Sequence, residues 1–314
     1  MDEKPLIALP VVLGPTGSGK SELSLRIAEA LGGEIVNCDS VQVYRHFQIG
    51  TAKVPEAQRR GIPHHLIDLV EPGELFTAGD YARTARTILD EIAGRGRIPV
   101  IVGGTGFYLR ALLEGLAPGP PRQDALRAKL QRRERKRPGS LHRILTRLDP
   151  AAAARIHRND RNKTLRALEV RLLDGRPMSE LLAQGRSPLQ GFQPIKIGLN
   201  PDRELLYRKL DLRAAAMFQL GLIGEVRDLL AAGVPADAKP FESLGYRQAL
   251  EAVRGLTTEE QAIASTQLET RRYAKRQLTW FRKEQDVHWL AGFGEDSKVI
   301  EQALACIKSA TKTF

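Results

Sequence analysis

The sequence predicts an α/β protein, in which a parallel β-sheet is covered by helices on both faces and is interrupted by a basic, all-helical insertion. Three observations lead to this prediction. Short apolar runs alternate with helical patterns over residues 1–120, a glycine-rich motif follows the first apolar run, and the excess of positive charge is confined to residues 121–194. A chain of 314 residues is long enough for two domains.

The first apolar run, at residues 6–13, predicts a buried β-strand. Pro10 has no N–H to donate, which argues against a fully paired central strand. We therefore expect this strand to be short or to begin near Val11. Apolar residues at helical spacing follow over residues 23–31, and the glycine pair after them predicts the end of that helix.

Two more short apolar runs predict two more strands. The run at residues 34–38 ends at Asp39, and the run at residues 98–102 ends at Gly103. A helical pattern over residues 81–92 lies between them. Short apolar strands that alternate with helices are typical of a parallel sheet that is buried on both faces.

Prolines at positions 118, 120 and 121 interrupt this alternation. The residues after them show helical patterns only, until a loop-like stretch is followed by a predicted strand at residues 195–199. We therefore expect residues 1–120 to form the first part of the core and residues 121–194 to form a helical insertion. Residues 195–314 then form the second, mostly helical part of the core.

The charge of the chain is unevenly distributed. The formal net charge is +11, and residues 121–194 alone contain 18 basic and 7 acidic residues, so the remainder of the chain is balanced. A basic block of this kind predicts a surface for a polyanion, such as a nucleic acid or an anionic membrane. The alternative is a solvated helical face, which most charged stretches are.

Composition excludes several other classes of protein. With 42% hydrophobic and 27% charged residues, the chain has an ordinary globular composition. Cys38 and Cys306 are its only cysteines, which is too few for a disulfide framework or a zinc ribbon. The longest apolar run, residues 6–13, is too short to span a bilayer. Because residues 1–4 begin with acids, we expect no secretory signal, and hence a cytoplasmic protein without membrane contact.

The glycine-rich motif occupies residues 14–21 and reads GPTGSGKS, a complete match to the phosphate-binding loop (P-loop) pattern. It follows a predicted strand and opens a predicted helix, so the core is expected to be P-loop NTPase-like, with ATP a ligand by motif. Backbone N–H groups and the helix N-terminus would bind phosphate, Lys20 would add a positive charge, and the Ser21 hydroxyl could hold Mg²⁺. The residues that we expect at the phosphates are Gly14, Pro15, Thr16, Gly17, Ser18, Gly19, Lys20 and Ser21.

Asp39 is the only acid at the end of a predicted core strand. An ATPase of this class also carries a strand-end Asp that holds Mg²⁺, but the third strand ends in Gly103, Gly104 and Thr105. Asp39 is therefore either a metal ligand in a kinase-like site or a general base aimed at an acceptor. A third interpretation is that it caps the turn before Ser40.

Three other stretches could belong to the same cleft. Tyr44, Arg45 and residues 51–53 follow Asp39 and could line it. The histidine pair at residues 64–65 is interpreted as structural, because adjacent side chains on a strand point to opposite faces. The basic, aromatic pattern at residues 270–280 is compatible equally with phosphate contacts and with a solvated helix.

A series of motifs in fixed order resembles the bacterial tRNA dimethylallyltransferases, also called tRNA isopentenyltransferases. The resemblance extends from about residue 9 to about residue 290. Its motifs are GPTGSGKS (14–21), DSVQVY (39–44), IGTAK (49–53), PHHLID (63–68), VGGTG (102–106), RALEV (166–170), GYRQ (245–248) and AKRQLTW (274–280). This chain departs from the usual pattern at Gly17, where Ala is common, at Ser21, where Thr is common, and at residues 161–163, where RNK replaces Pro-Gln-Arg.

The resemblance implies a reaction. The family transfers the dimethylallyl group of dimethylallyl diphosphate to N6 of the adenosine immediately 3′ of the anticodon, in tRNAs that read codons beginning with U. The P-loop would then bind the donor's diphosphate rather than ATP, with Mg²⁺ as cofactor. Two alternatives remain at this stage. One is a P-loop phosphotransferase that acts on a nucleoside or RNA, and the other is a basic RNA-binding module without catalytic activity.

The resemblance also implies roles for individual residues. Asp39 is the base that accepts the N6 proton, Thr105 lies where the adenine enters, and Arg213 reaches the diphosphate. The basic insertion would grip the anticodon stem-loop. No protein partner is implied, and we expect a monomer. The residues expected to contact tRNA are Asp39, Ser40, Val41, Gln42, Thr105, Arg127, Asn162, Lys163, Thr164, Leu165, Arg166, Ser243, Leu244, Gly245, Tyr246, Arg247 and Gln248.

Overall fold

The computed structural model describes residues 6–311, so the acidic start on which we based the absence of a secretory signal lies outside the described residues. The chain divides into two units. The core unit comprises Met1–Leu113 and Leu189–Phe314, and the helical unit comprises Glu114–Pro188. No helix in residues 6–311 is both long enough and apolar enough to cross a membrane.

The core unit contains a six-stranded sheet in which every pairing is parallel, with the order β3-β2-β4-β1-β5-β6. The strands are β1 (Ile7–Leu13), β2 (Glu34–Asn37), β3 (His64–His65), β4 (Pro99–Val102), β5 (Phe192–Leu199) and β6 (Val287–Leu290). The predicted parallel α/β sheet is therefore confirmed. We did not predict β3, which has only two residues, or β6, which is only partly buried and gives a weak apolar pattern.

Helices cover both faces of this sheet. In the core unit they are α1 (Lys20–Leu31), α2 (Ala78–Gly94), α3 (Gly106–Leu113), α9 (Arg203–Gln219), α10 (Leu222–Ala231), α11 (Tyr246–Val253), α12 (Glu259–Phe281) and α13 (Ser297–Thr311). Alternate residues of β1 face opposite sides. Leu9 and Val11 pack against α2 and α3, whereas Val12 packs against α1 and α13. Burial on both faces explains why the central strands β1 and β4 are continuously apolar.

Pro10 lies inside β1, which is a central strand, so our expectation of a short or late-starting strand is wrong. β1 pairs with β5 over its whole length but with β4 only at Val11 and Val12. Pro10 precedes the first β1 residue that pairs with β4, so no hydrogen bond to β4 is lost through its missing N–H. A proline is tolerated in a central strand when one neighbour is absent at its position.

The helical unit contains α4 (Asp124–Lys136), α5 (Ser140–Leu148), α6 (Pro150–Arg155), α7 (Arg161–Asp174) and α8 (Met178–Ala183). Leu130, Leu145 and Leu168 belong to a small hydrophobic core of its own. Its bounds differ from the predicted 121–194, since α3 ends at Leu113 and β5 already begins at Phe192. Gln193 and Pro194 pair with β1 but interrupt the apolar run, so the sequence did not predict the first part of β5.

Candidate active site

A cavity of about 610 Å³ lies in the core unit at the carboxyl ends of β1, β2 and β4. Its walls come from the loop after β1, the segment after β2, the glycines after β4, and the helices α9 and α12. Ligands of open α/β sheets bind at this edge. The volume is within the range of sites that enclose a small organic molecule.

The P-loop curls between β1 and α1. Gly17 and Gly19 have φ values of 77° and 84°, a conformation that side-chain-bearing residues rarely adopt. Thr16, Gly17, Gly19, Lys20 and Ser21 line the cavity. The other members of the motif lie behind them. Gly14 packs against β5, the Pro15 carbonyl accepts a hydrogen bond, and the buried Ser18 Oγ has no hydrogen-bond partner among the described residues.

Lys20 is a partly buried cation within this loop. Its Nζ donates to the Pro15 carbonyl at 2.7 Å. The pKa of Lys20 is lowered from 10.5 to about 8, chiefly by burial; the Asp39 carboxylate opposes this shift and the Arg213 guanidinium adds to it. The ammonium is partly removed from water and no carboxylate of the described residues is bonded to it, so this position favours an anionic ligand.

Arg213, on α9, is a second cation on the cavity wall, and it is unpaired. It makes no hydrogen bond or ion pair with any residue in 6–311. Burial lowers the pKa of Arg213, and the nearby Asp39 carboxylate partly offsets that effect. A desolvated guanidinium without a partner is unfavourable unless a ligand supplies the opposite charge. Together with Lys20, it marks this part of the cavity as an anion site.

Asp39 follows β2 and lines the cavity. Its Oδ1 accepts from the N–H groups of Val41 and Gln42 at 2.8 and 3.3 Å, so the predicted turn cap is present. Oδ2 accepts no hydrogen bond from the described residues. One oxygen therefore fixes the carboxylate, and the other is available to a proton donor or a metal ion.

Thr105 does not line the cavity, but its hydrogen bonds connect two of the segments that do. Its Oγ1 accepts from the Ser40 N–H at 3.1 Å, and its own N–H donates to the Cys38 carbonyl at 3.2 Å. The wall at this point consists of Gly103 and Gly104. Thr105 thus ties the end of β4 to the segment that carries Asp39.

Some of the residues after Asp39 line the cavity, and others stabilise the segment from behind. Val41, Gln42, Thr51 and Ala52 line the cavity, as does His64. Support comes from buried Tyr44 and from Lys53, which pairs with Asp68 at 2.6 Å, whereas Arg45 is exposed and bonds to Glu71. The two histidines have separate partners: His64 Nδ1 contacts the Ile62 carbonyl at 2.8 Å, and His65 Nε2 contacts Glu34 at 2.7 Å.

The predicted tRNA contacts at residues 243–248 also fall into two groups: residues that line the cavity and residues that support the lining. Ser243, Leu244 and Arg247 line the cavity. Gly245 and Gln248 bond to each other at the start of α11, and Tyr246 is buried against Gly50 and Glu225. These last three residues are therefore placed to support the wall rather than to touch a ligand.

Helix α12 contributes side chains that we did not assign to the site. Tyr273, Arg276 and Gln277 lie on its cavity face, and Lys209 adds a further cation from α9. The basic pattern at residues 270–280 is therefore more than a solvated helix. The AKRQLTW motif was the signal, but it did not show which face of the helix is turned inward.

In the helical unit, Glu169 organises two of the predicted tRNA contacts. Its buried carboxylate accepts from Arg127 at 3.0 and 3.1 Å and from Arg166 at 2.9 Å. Arginine side-chain bonds lower the pKa of Glu169 against the opposing effect of burial. Asn162 and Lys163 are exposed.

Thr164 and Leu165 are buried. They are only 2% and 4% exposed, because α7 turns this part of the RNKTLR stretch into the core of the helical unit. Their side chains are not available to tRNA, so the predicted contact of these two residues stays a prediction that only their backbone could fulfil.

Comparison with known proteins agrees with the fold and the motifs. The model of the family described as IPP transferase matches residues 42–284, and the model described as isopentenyl transferase matches residues 7–68. A protein of Solibacter usitatus named tRNA dimethylallyltransferase is 59% identical, over 96% of this chain and 97% of the relative. One of Koribacter versatilis with the same name is 54% identical, over 96% and 98%.

Solved structures show the same similarity. The tRNA isopentenylpyrophosphate transferase of Bacillus halodurans superimposes with a TM-score of 0.72 at 34% identity, over 98% of this chain and 99% of that one. A eukaryotic dimethylallyltransferase acting on tRNA gives a TM-score of 0.84 at 27% identity, over 98% and 80%. With a family model that matches most of the chain and relatives above 50% identity, the chain belongs to the IPP transferase family.

Proposed function

We propose that this chain transfers the dimethylallyl group of dimethylallyl diphosphate to N6 of the adenosine immediately 3′ of the anticodon, in tRNAs that read codons beginning with U. The products are N6-dimethylallyladenosine and diphosphate. The observation that carries the proposal is the anion site formed by the P-loop, partly buried Lys20 and unpaired Arg213. The family membership and the names of its relatives supply the substrate pair.

The cations act on the leaving group. As the bond between the allylic carbon and the diphosphate oxygen breaks, negative charge collects on the diphosphate. Lys20, Arg213 and the P-loop amides are fixed where that charge develops, which is the arrangement that lowers a barrier most. The allylic carbon tolerates positive charge by delocalisation, so stabilising the leaving group is the principal electrostatic task.

Asp39 acts on the acceptor. N6 forms the new bond to carbon and must lose a proton, which the Oδ2 of Asp39 is free to accept. The adenine must leave the base stack to reach this carboxylate, at a cost of a few kcal/mol that contacts elsewhere on the tRNA must offset. We assign those contacts to the helical unit and to the cavity residues Ser243, Leu244 and Arg247.

Mg²⁺ fits this site as a partner of the diphosphate. Ser21 and Asp39 both line the cavity, and residues 6–311 contain no cluster of three His, Cys, Asp or Glu side chains. Such a sparse donor set suits Mg²⁺, which is usually held by one or two protein groups together with substrate phosphates. Ser21 would hold the ion, and the ion would neutralise the charge of the diphosphate.

One assay tests the proposal against its rivals. The protein is incubated with unmodified tRNA and either radiolabelled dimethylallyl diphosphate or γ-labelled ATP. We expect label from the first donor only. Label from ATP would show a phosphotransferase. That role is not favoured, because β4 is followed by glycines and not by the Asp that holds Mg²⁺ in an ATPase. RNA binding without transfer of either label would show a non-catalytic RNA-binding module. We further propose that the protein acts as a monomer and, because its substrate is tRNA, in the cytoplasm.

The helical unit carries a basic cluster on α4 and at its end: Arg132, Arg133, Arg135, Lys136 and Arg137. All five are exposed and none forms an ion pair within residues 6–311. Replacing them with Gln should weaken tRNA binding and flatten its dependence on salt. Each lost phosphate contact lowers the slope of log K against log salt by about 0.7–0.9. Binding titrations at several salt concentrations measure this slope.

The control for the basic cluster is the pair of exposed lysines on α13, Lys298 and Lys308. Their replacement with Gln should leave the slope unchanged. If the cluster variant also kept the wild-type slope, the cluster would be a solvated face and tRNA would bind elsewhere.

The pH dependence of donor use should follow Lys20. Its pKa of about 8 in the free protein lies below the ordinary 10.5, so the side chain is charged below pH 8 and loses its charge above it. Because kcat/KM reports the free enzyme, kcat/KM for the donor should be level below this pH and fall by up to about tenfold per pH unit above it. Lys20→Arg keeps its charge and should lose this alkaline fall. A wild-type profile that stays level to about pH 9.5 would contradict the assignment.

A further inference from the structure

Gln277 joins two parts of the site that are distant in the sequence. Its side chain is buried, with 6% exposure. Oε1 accepts from the Thr16 N–H in the P-loop at 2.8 Å, and Nε2 donates to the Gly104 carbonyl after β4 at 2.9 Å. Both ends of one amide are thus bonded to backbone groups of two different walls.

The two walls have different tasks. Thr16 belongs to the cradle of the diphosphate, and Gly104 precedes Thr105, which is bonded to the segment of Asp39. A Cβ on Gly104 would collide with Gln277 Nε2 and would lie 4.0 Å from Lys20 Nζ, so the amide, the glycine and the lysine lie side by side. A shift of the amide would therefore change the spacing between the anion site and the acceptor side.

Only an amide can make this pair of bonds. The position requires an acceptor for an N–H and a donor for a C=O on the same short side chain, which Gln provides and Glu or Met does not.

We propose that Gln277 is a positioning residue for the reaction. It fixes the position of the P-loop at Thr16 relative to the end of β4, and thereby sets the distance between the bound diphosphate and the carboxylate of Asp39. It acts through the two backbone groups and does not touch the reacting atoms. The inference rests on the proposed function, since this distance matters for transfer between two substrates.

The test uses the full chain and two variants. Gln277→Met keeps the volume and removes both bonds, and Gln277→Glu keeps only the acceptor for Thr16. The matched control is Gln267→Met, on the same helix, where the side chain donates to the Asp211 carbonyl at 3.1 Å away from the P-loop. The measurements are KM for the donor, Kd for inorganic diphosphate, Kd for tRNA, thermal unfolding, and hydrogen exchange of the peptide that contains Thr16.

For Gln277→Met we expect KM for the donor and Kd for diphosphate to rise by about tenfold or more, as expected when buried backbone groups lose their partners. The Thr16 peptide should exchange faster, while Kd for tRNA stays within about twofold. Gln277→Glu should keep the exchange protection of Thr16 yet bind diphosphate more weakly, because it adds a negative charge beside the anion site. Gln267→Met should match the wild type in diphosphate binding and in exchange at Thr16.

Wild-type diphosphate affinity in Gln277→Met, or a loss of equal size in Gln267→Met, would overturn the inference and leave Gln277 with a structural role. If Gln277→Met does not fold, wild-type diphosphate affinity in Gln277→Glu would overturn it. Failure of the proposed function is seen separately. In that case the wild type binds diphosphate but does not transfer dimethylallyl to tRNA, and the effect of Gln277 on diphosphate binding can still be measured.

Discussion

Asp39→Asn is expected to lower kcat by about 100-fold or more while donor and tRNA affinity stay within a few-fold, because a positioned proton acceptor typically contributes about 10²–10⁴-fold. Asn is nearly isosteric and can still accept from the N–H groups of Val41 and Gln42, so the turn survives. It cannot accept the proton of N6. A loss in kcat without a loss in binding is the sign of an interaction made only in the transition state.

The measurement for Asp39 is a single-turnover rate together with donor affinity, over a titration of Mg²⁺. If Asp39 is instead a metal ligand, Asp39→Asn loses donor affinity, and excess Mg²⁺ restores part of the rate. That result would refute the role as base. Both readouts come from one experiment, so the two roles left open by the sequence are separated.

Lys20→Ala is expected to have the second large effect. Removing one partner of a buried, hydrogen-bonded charge pair costs about 2–5 kcal/mol, which corresponds to a loss of donor affinity of roughly 30-fold to 4,000-fold. Transfer should fall at least in proportion at low donor concentration. The affinity for tRNA should be largely kept, because the cation lies in the P-loop.

Binding of labelled donor, measured by equilibrium dialysis, checks the Lys20 prediction. Lys209→Ala is the comparison, since Lys209 also lines the cavity but is neutralised by Glu295. We expect that variant to lose less than about tenfold in affinity, as is usual for exposed ion pairs. Wild-type donor binding by Lys20→Ala would mean that the P-loop is not the diphosphate cradle.

Local patterns in the sequence predicted the features that are local in the structure. The P-loop follows β1 and opens α1, and Asp39 lies just past β2, because strand, turn and helix signals act over a few residues. Local patterns could not predict the burial of Thr164 and Leu165. A motif does not show which face of α7 is buried, or which other helices pack against that face. The bond from Gln277 to Thr16 joins residues 261 positions apart, and no local rule predicts such a contact.

The unpaired Arg213 has a consequence for the resting protein. Its guanidinium is desolvated, and the nearby Asp39 carboxylate offsets that cost only in part, so Arg213 makes the fold less stable than its packing allows. On the proposed function, the diphosphate of the donor would supply the remaining negative charge, and part of the donor's affinity would come from the relief of this cost. A trade-off between activity and stability follows: a neutral side chain at position 213 would stabilise the fold and weaken the binding of an anionic substrate.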